Sequence, residues 1–426
     1  MLKQSSTIKL FKKIKIDSSW AFADKTRKDT AYITHGYHRY PAKFIPQIVS
    51  RLIERYTKKG DLVVDPFGGC GTTLVESKVN GRQSIGVDIN PVAVLIAKAK
   101  KTPIKPLKLE KYYLKLKNKI DSFNRNAKVR VPEHIRIDYW FGPEKKKELA
   151  FLFSEISRIK DQDVRDFFYC GFSNILKNCS IWLQKSNKPT RDFDKKIPEP
   201  FMVFLRQIKM MLRGNLNFYN LLQERKFLEK TCDVYCADAR EIPVKTNSVN
   251  LIVTSPPYVT SYEYADLHQL TALWFKYTKD LSDFRKRFIG TYHNGVKDIV
   301  LNSEIAEDIR RSLEKKDKKT AKEVSIYFSE MNHCFKEMKR TLKKGGRSCI
   351  VIGNTSLKGI NILNAEVFTE QLQNLGLRID DIIKRKIPSK NLPSTRNKKT
   401  GRFAKATDKN KINIYPTEYI LITKKV

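Results

Sequence analysis

The stretch "DLVVDPFGGCGTT", residues 61 to 73, decides the fold. Its first five residues form a short β-rich run, which predicts a buried strand over Asp61 to Asp65. The glycines that follow predict a tight turn into a helix over Thr73 to Val79, and Ser84 to Asp88 predicts the next strand. This order is typical of the start of a βαβ unit and indicates an α/β protein with a mostly parallel sheet.

The alternation of strands and helices continues along the chain. The last two strands follow each other without a helix between them, so they predict an antiparallel hairpin on the edge of an otherwise parallel sheet. The remaining elements are predicted as strands over Asp233 to Cys236, Val249 to Thr254, Arg347 to Gly353, Arg378 to Ile387 and Thr417 to Thr423, and as two helices, one ending at Gly345 and one spanning Asn364 to Leu375.

Two segments rich in aromatic residues and helical patterns interrupt this alternation. They divide the predicted core into three pieces: residues 1–100, with the N-terminal segment and the first half of the core, residues 231–258, and residues 325–426. The two helical inserts are residues 101–230 and 259–324. The predicted fold is therefore an α/β core with two largely helical inserts.

The charge of the chain indicates its class of partner. Lys and Arg number 83 against 45 Asp and Glu, a net charge of +38. Such an excess favours a polyanion, with DNA or RNA first. No run of about 18 apolar residues predicts a membrane span. The N-terminus has neither a continuous apolar segment nor a cleavage site for secretion, so we expect a soluble protein in the cytoplasm, with no membrane partner.

The seven cysteines are scattered and contain no C-x-x-C pair. Cys232 and Cys236 flank a predicted strand, and neither a His nor a second Cys pair follows at zinc spacing. We expect reduced, mostly buried thiols and no metal site.

The loop "TSPPY", Thr254 to Tyr258, follows a predicted buried strand directly. Each proline fixes its own φ and holds the residue before it extended, so the Ser255 hydroxyl and the Pro256 carbonyl point outward as acceptors. Such acceptors favour attack by the exocyclic amino group of a nucleobase, and the Tyr258 ring offers a face on which an extruded base can stack. The alternative is an ordinary proline turn with Tyr258 in the core.

The glycine-rich turn and Asp88 together indicate a ligand that contains a ribose. Gly68, Gly69 and Gly71 allow the backbone to approach a ligand closely, and Asp88 lies 17 residues beyond Gly71. A strand-end carboxylate at that distance can accept hydrogen bonds from ribose hydroxyls. The dinucleotide spacing G-x-G-x-x-G is absent, since position 74 is Leu74. A solvated carboxylate is the alternative for Asp88.

Two further residues are candidates for the same ligand. Asp238, in "YCADARE", follows the next strand and could accept a proton from an adenine amino group, or cap the N-terminus of a helix. Phe44, in "YPAKFIP", could pack on a cofactor or in the core.

With these segments the chain resembles the S-adenosylmethionine-dependent DNA methyltransferases that modify exocyclic amino groups. That family carries D-P-F-x-G-x-G-T-T, an acid after the second strand, and a catalytic [S/D/N]-P-P-[Y/F/W] loop. Cys70 is a departure, because the family often has Ser there. The resemblance implies a Rossmann-like methyltransferase sheet and S-adenosylmethionine as cofactor. It also implies catalytic roles for Ser255, Pro256, Pro257 and Tyr258, and cofactor contacts for Phe44, Asp65, Pro66, Phe67, Gly68, Gly69, Gly71, Thr72, Thr73, Asp88, Asp238 and Thr254.

Ser255 resembles the N4-cytosine subgroup, because adenine-N6 enzymes more often have Asp or Asn at that position. Methylation at cytosine C5 needs a thiolate, and the loop carries Tyr258 where that cysteine would be required. We expect N4-cytosine methylation. N6-adenine methylation, RNA methylation and non-catalytic nucleic-acid binding are the alternatives.

The resemblance also implies double-stranded DNA as partner, and a companion restriction endonuclease. The insert 101–230 is the candidate DNA-recognition region. Three basic stretches are candidates for phosphate contacts, each alternatively a solvated face: Lys98 to Lys119, Arg310 to Lys322 and Lys384 to Lys411. Supporting roles beside the catalytic loop are expected for Tyr262, Glu263 and His268.

Overall fold

Seven strands form one sheet in the computed structural model of the protein, which describes residues 6–41, 43–259, 264–290, 298–388, 395–397, 407, 411–413 and 416–426. Two further pairs of short strands, β6 with β7 and β9 with β10, stand apart from it. The strands of these described residues are β1 (Leu62–Asp65), β2 (Gln83–Asp88), β3 (Cys232–Cys236), β4 (Val249–Thr254), β5 (Leu342–Ile352), β6 (Thr355–Leu357), β7 (Ile360–Ile362), β8 (Leu377–Lys386), β9 (Thr395–Asn397), β10 (Lys411–Asn413) and β11 (Thr417–Lys425).

Helices connect and cover these strands, with a short 3-10 helix at Ser18–Trp20. Over the described ranges the α-helices are α1 (Ser6–Lys13), α2 (Arg27–Thr30), α3 (Pro46–Tyr56), α4 (Thr72–Val79), α5 (Pro91–Lys101), α6 (Pro106–Asp121), α7 (Ile135–Asp138), α8 (Pro143–Ser157), α9 (Gln162–Leu176), α10 (Pro200–Glu224), α11 (Tyr264–Leu267), α12 (Gln269–Trp274), α13 (Leu281–Lys286), α14 (Glu304–Glu314), α15 (Lys318–Thr341) and α16 (Asn364–Asn374).

The strand order of the large sheet is β3-β2-β1-β4-β5-β11-β8. β11 runs antiparallel to both of its neighbours, and the pairs among β3, β2, β1, β4 and β5 are parallel. The order reverses between β1 and β4, and ligands bind at the carboxyl ends of strands beside such a reversal. The predicted fold class, including the antiparallel terminal hairpin and the helical inserts, is confirmed.

Both faces of the sheet are buried. Neighbouring side chains along a strand point to opposite sides, so each strand contributes side chains to the cores on both faces. In β1, Val63 packs with Ile48 and Leu52 of α3, whereas Val64 packs in the core that contains Phe328 and Phe335 of α15. The sheet therefore has helices on both faces, and its strands read as continuous apolar runs.

One local prediction is wrong. The sequence predicts a helix that ends at Gly345 and a strand from Arg347, but α15 ends at Thr341 and β5 begins at Leu342. The pairing with β4 skips residues between Leu342 and Arg347, so this stretch bulges out of the ladder. Gly345 allows the bulge, because its φ of +81° suits a residue without a side chain.

The two helical segments share one core. Trp274 of α12 packs edge-on against Phe141 and Phe172, with ring centroids 5.7 and 5.5 Å apart, although Phe172 lies in α9 of the first segment. Leu270 and Phe284 belong to the same buried cluster. The residues after the catalytic loop are thus held by the first insert. No helix of the described ranges is long and apolar enough to cross a bilayer.

Gly71 offers a test of how α4 is seated. Its φ is +81°, and a Cβ added there would lie 3.0 Å from the Cα and Cβ of Ala97 in α5. Gly345 has the same φ, and a Cβ there would meet nothing within 4 Å. We expect Gly345→Ala to lower the free energy of unfolding by about 1 kcal/mol, from backbone strain alone. Gly71→Ala should cost ~1–3 kcal/mol more, because it also overpacks two helices.

Chemical denaturation of both variants measures the difference. Equal losses would show that α4 and α5 are free to separate, contrary to the close packing described here.

Candidate active site

The carboxylate of Asp65 joins the ends of β1 and β4. It is 1% exposed, and its oxygens accept hydrogen bonds from the Thr254 hydroxyl (2.6 Å), the Thr73 hydroxyl (2.7 Å) and the Phe67 N–H (3.1 Å). Thr73 also donates to the carbonyl of Val253 at 3.3 Å. One buried side chain therefore fixes the glycine-rich turn, the start of α4 and the residue before Ser255 relative to each other. We call these contacts the Asp65 node.

Asp88 lies at the carboxyl end of β2, beside the same turn. One of its oxygens accepts the N–H of Gly69 at 2.8 Å, and the other accepts the N–H of Asn90 at 2.8 Å. The Gly68 N–H donates to the carbonyl of Val87, also at 2.8 Å. The carboxylate is oriented by backbone donors while part of it stays exposed, so it can accept further hydrogen bonds.

Burial raises the pKa of both carboxyl groups. The pKa of Asp65 is raised to about 6, although its three hydrogen bonds oppose the shift. The pKa of Asp88 is also raised to about 6, first by burial and further by the nearby charge of Asp65. Because both values lie above the ordinary 3.8, each group stabilises the fold most when protonated, and that contribution is lost as the pH rises through about 6.

An aromatic wall stands beside Asp88, and of its three members the sequence indicated His268 but not Tyr40 or Tyr264. Tyr40 covers the turn, since a Cβ at Gly69 would lie 3.4 Å from its ring. Its ring stacks with that of Tyr264 at 6.0 Å and lies 5.1 Å from His268. Spacing along the chain could not connect these residues, because the turn that brings them together is set by the packing of the insert.

His268 presents a hydrogen-bond donor inside this wall. Its Nδ1 lies 2.7 Å from the Asn90 amide nitrogen, which donates because the amide oxygen already accepts the Val92 N–H. The hydrogen of the neutral ring is then on Nε2, a buried atom with no partner among the described residues. Burial lowers the pKa of His268 to about 4, so the ring is neutral at pH 7. A buried unpaired donor is costly, and a ligand would satisfy it.

The predicted catalytic loop, Ser255 to Tyr258, leaves the carboxyl end of β4. Pro256 is buried, while Ser255, Pro257 and Tyr258 are half-buried. The carbonyl of Pro257 accepts a hydrogen bond from the Tyr327 hydroxyl at 2.7 Å, which anchors the loop to α15. The Ser255 side chain follows Thr254 directly, so the Asp65 node places it next to the glycine-rich turn.

The Tyr258 ring is held from the far end of the chain. Its hydroxyl makes a long hydrogen bond of 3.4 Å to Glu418 in β11, and the ring packs against Gly353, where a Cβ would lie 3.2 Å away. Glu418 in turn pairs with Arg385 of β8, which is 3% exposed and also donates to the carbonyl of Trp20 at 2.6 Å. No motif indicated this support.

Some predicted site residues lie elsewhere or make other contacts. Phe44 packs beside Ile48 and Val351 in the core behind the sheet, which is the alternative that the sequence left open. Asp238 caps no helix, because residues 239 and 240 form a turn. Its carboxylate accepts the N–H of Arg240 and pairs with the Arg240 guanidinium at 2.5 Å.

The other residues of the predicted cofactor loop lie in the turn between β1 and α4 or at the start of α4. Pro66, Gly68 and Thr72 are buried there, and Phe67 is half-buried. Tyr262, Glu263 and most of the basic loop after Ile387 lie outside the described residues.

All seven cysteines are free thiols, and six of them are buried. Cys70 lies in the turn at 2% exposure, with its sulfur 3.8 Å from the Thr72 hydroxyl. Among the residues that the structure describes, no group of three or more His, Cys, Asp or Glu side chains could hold a metal ion.

Comparison with known proteins identifies the family. A family model described as DNA methylase, for N6 and N4 methyltransferases, matches residues 3–99 and 249–425, more than half of the chain. The chain belongs to this family of DNA methyltransferases. The unmatched residues 100–248 contain α6 to α10 and β3.

Curated relatives carry the same description. The type II methyltransferase M.MvaI of Kocuria varians is 28% identical over 411 residues, covering 89% of this chain and 90% of that protein. M.MjaII of Methanocaldococcus jannaschii, also a type II methyltransferase, is 31% identical over 220 residues, covering 49% and 39%.

Solved structures share only a loose similarity. TTHA0409 of Thermus thermophilus, solved with S-adenosyl-L-methionine, is 19% identical over 44% of this chain and 53% of its own, with a TM-score of 0.23. A methyltransferase from Methanosarcina mazei aligns over 91% and 99% at 10% identity, with a TM-score of 0.31.

S-adenosylmethionine is the cofactor of this DNA methyltransferase, and the residues present fit it. The turn has no side chains at Gly68, Gly69 and Gly71, where a Cβ would meet Val87, the Tyr40 ring and Ala97, so its backbone packs closely against β2, the aromatic wall and α5. Asp88 and the buried His268 Nε2 supply an acceptor and an unpaired donor for a polar ligand.

The Arg385–Glu418 pair supports the site, and its removal is testable. Glu418→Ala leaves the buried Arg385 without its carboxylate, so the free energy of unfolding should fall by ~3 kcal/mol. Tyr258→Phe removes the long hydrogen bond to Glu418 and should cost about 1 kcal/mol or less. Denaturation curves of the two variants measure this. A loss for Tyr258→Phe as large as that for Glu418→Ala would contradict the assignment of the main stabilising contact to Arg385.

Proposed function

We propose that this protein is a type II DNA methyltransferase that methylates N4 of a cytosine in a specific sequence of double-stranded DNA. The Asp65 node carries the proposal, because it holds the Ser255 loop beside the glycine-rich turn and Asp88. The family membership and the coverage of M.MvaI support the reaction class. Ser255 at the first position of the loop supports cytosine over adenine.

S-adenosylmethionine held by the glycine-rich turn and Asp88 would supply a methyl group on a positively charged sulfur, which the target nitrogen would displace as a neutral thioether. The protein has to hold the amine so that its lone pair faces that methyl group. In this proposal the Ser255 hydroxyl and the Pro256 carbonyl accept the two N–H bonds of the amine, which frees the lone pair from the ring. The methylated nitrogen then releases one proton, and no covalent enzyme intermediate is formed.

Tyr258 would receive the target base after it has left the duplex. Flipping a base costs a few kcal/mol, and stacking on an aromatic ring offsets part of that cost. The contacts of Tyr258 with Glu418 and Gly353 support this role, because they hold the ring in one orientation before DNA binds.

The cofactor would lie along the turn, with its ribose on Asp88 and its polar edge near His268. We further propose that Asp65, Thr73 and Thr254 position the turn rather than bind the cofactor through their side chains, since their polar atoms bond to each other. Asp238 is a further candidate to accept a hydrogen bond from the adenine amino group, because each oxygen of its carboxylate has a second lone pair. Phe44 would influence cofactor binding only indirectly, through its packing in the core.

A companion restriction endonuclease fits the proposed role, because methylation of a specific sequence protects it from cleavage. M.MvaI and M.MjaII are both named type II methyltransferases, and this supports the pairing. N6-adenine methylation is the second candidate, since the family model includes both kinds of enzyme.

Analysis of the reaction products tests which base is methylated. The protein is incubated with S-adenosylmethionine and DNA, and the nucleosides are separated by mass spectrometry. We expect N4-methylcytosine, with structured RNA and single nucleosides as controls. Detection of N6-methyladenine alone would replace cytosine by adenine, and methylation of RNA in preference to DNA would overturn the proposed substrate.

The roles of the two loops separate in a variant series. Ser255→Ala and Tyr258→Ala should lower the methyl-transfer rate about 100-fold with cofactor affinity within about twofold, because they act on the transition state. Asp88→Asn should weaken cofactor binding about tenfold, because a neutral amide replaces a charged acceptor. Calorimetry and single-turnover rates measure the two effects, and equal losses of both quantities in all three variants would contradict these roles.

The pH dependence of cofactor binding tests Asp88 separately. Since the pKa of Asp88 is about 6, its carboxylate is ionised at pH 7 and becomes protonated below pH 6. The ionised form accepts the stronger hydrogen bonds, so the dissociation constant for the cofactor should rise up to about tenfold per pH unit below 6. In Asp88→Asn the dissociation constant should no longer depend on pH in this range. If it still rises as steeply below pH 6, the pH dependence belongs to another group.

A further inference from the structure

We propose that four exposed side chains of the first insert, Ile135, Tyr139, Arg191 and Phe193, form a surface that contacts duplex DNA and contributes to the choice of target sequence. This inference rests on the proposed function and adds a recognition surface to it. We call these four residues the Phe193 patch. Ile135 is 83% exposed and Phe193 is 72% exposed, which is unusual for large apolar side chains of a folded domain.

The four side chains form one continuous surface. The Arg191 guanidinium carbon lies 4.0 Å from the centre of the Tyr139 ring and 4.7 Å from that of Phe193, so the cation is held between two aromatic faces. Ile135 is one helical turn before Tyr139, and the Tyr139 N–H donates to its carbonyl at 3.0 Å. The two side chains therefore point the same way.

The patch is presented by a rigid scaffold. Trp182 and Arg191 pair as an antiparallel bridge at the base of the loop that carries Phe193. Lys195 donates from one ammonium group to the carbonyls of Lys177, Ser180 and Trp182, at 2.7 to 2.8 Å. An exposed phenylalanine on a braced loop is preorganised for a partner, since binding costs little loop ordering.

The patch is also connected to the active site by a short path of contacts. Tyr139 precedes the buried Trp140, whose indole stacks on Trp182 at 5.1 Å and donates to the Gln269 amide at 3.3 Å. Gln269 follows His268, the donor in the aromatic wall next to Asp88. Buried contacts therefore join the patch to the aromatic wall beside Asp88.

Charge and aromatic character together favour DNA as the partner. Exposed basic residues flank the patch: Arg136 follows Ile135, Lys188 and Lys196 lie on the same loop as Phe193, and the carbonyl of the exposed Lys279 lies 3.3 Å from His134. Acidic residues are also present: Asp192 and Asp194 flank Phe193, Glu133 precedes Ile135, and Asp138 is paired with Lys146, so the basic residues are in a small excess. An apolar protein partner would desolvate these cations, whereas DNA offers phosphates to the lysines and base faces to Phe193.

The test compares variants of the 426-residue chain by fluorescence anisotropy, with a duplex that contains the methylated sequence and an unrelated duplex of equal length. Phe193→Ala should raise the dissociation constant for the target duplex about tenfold, with a smaller effect on the unrelated duplex. Arg191→Ala should raise it about fivefold and lower the salt slope by about 1. The control is Leu107→Ala, in α6, which removes an apolar side chain of 82% exposure and should change nothing.

The outcomes separate this proposal from the proposed function. All three variants should keep the cofactor affinity and the melting temperature of the wild type, because the changed side chains are exposed. One outcome overturns the patch and leaves the function standing. In that outcome the wild type methylates DNA, and the dissociation constants of Phe193→Ala and Arg191→Ala for the target duplex stay within about twofold of the wild-type value. A loss shared by Leu107→Ala also overturns the patch. If the wild type methylates no DNA, the proposed function fails and the patch fails with it.

Discussion

The rest of the site depends on a single buried carboxylate, that of Asp65. Its two oxygens join the glycine-rich turn, the first turn of α4 and the residue before the catalytic loop, through contacts to Phe67, Thr73 and Thr254. Burying a carboxylate is expensive, and three hydrogen bonds compensate only part of that cost, which is why its pKa rises to about 6. The buried carboxylate lies where β1 and β4 end side by side. The relative position of the two loops is therefore set by one buried side chain.

The second constraint is the shared core of the two inserts. Trp274, Phe172 and Phe141 pack together, so the segment after the catalytic loop is not an independent excursion from the sheet. Tyr264 and His268 lie at the start of that segment and reach the turn through Tyr40. Aromatic packing far from the reacting atoms thus determines which side chains surround the cofactor site.

Much of the fold could be predicted because its signals are local. Strands buried on both faces appear as short apolar runs, as in Val249 to Thr254, and the glycines after Asp65 indicate the turn. The same local reasoning ended a helix at Gly345 and began a strand at Arg347, whereas the helix ends at Thr341 and the strand begins at Leu342 and continues through a bulge. Packing of Phe44 in the core or on a ligand could not be decided by spacing either.

The missed residues of the site are those brought together by long-range contacts. Tyr258 and Glu418 are separated by 160 positions, and Asn90 and His268 by 178. No periodicity or motif connects such pairs, because their meeting depends on the completed strand order and on insert packing. The motif residues could be found from the chain alone, whereas the side chains that orient them could not.

The placement of β11 bears on how the enzyme is made. This strand lies between β5 and β8, although both precede it in the chain, and it carries Glu418 to the ring of Tyr258. During synthesis the first five strands of the sheet can pair while β8 lacks its long partner strand and is paired through the bridge from Ile16, and Tyr258 has no support from Glu418. A nascent chain cut short before Thr417 would therefore expose an open sheet edge, a ready target for proteolysis, and would lack a finished site. The strand that is synthesised after both of its neighbours therefore completes the sheet and brings Glu418 to the Tyr258 ring.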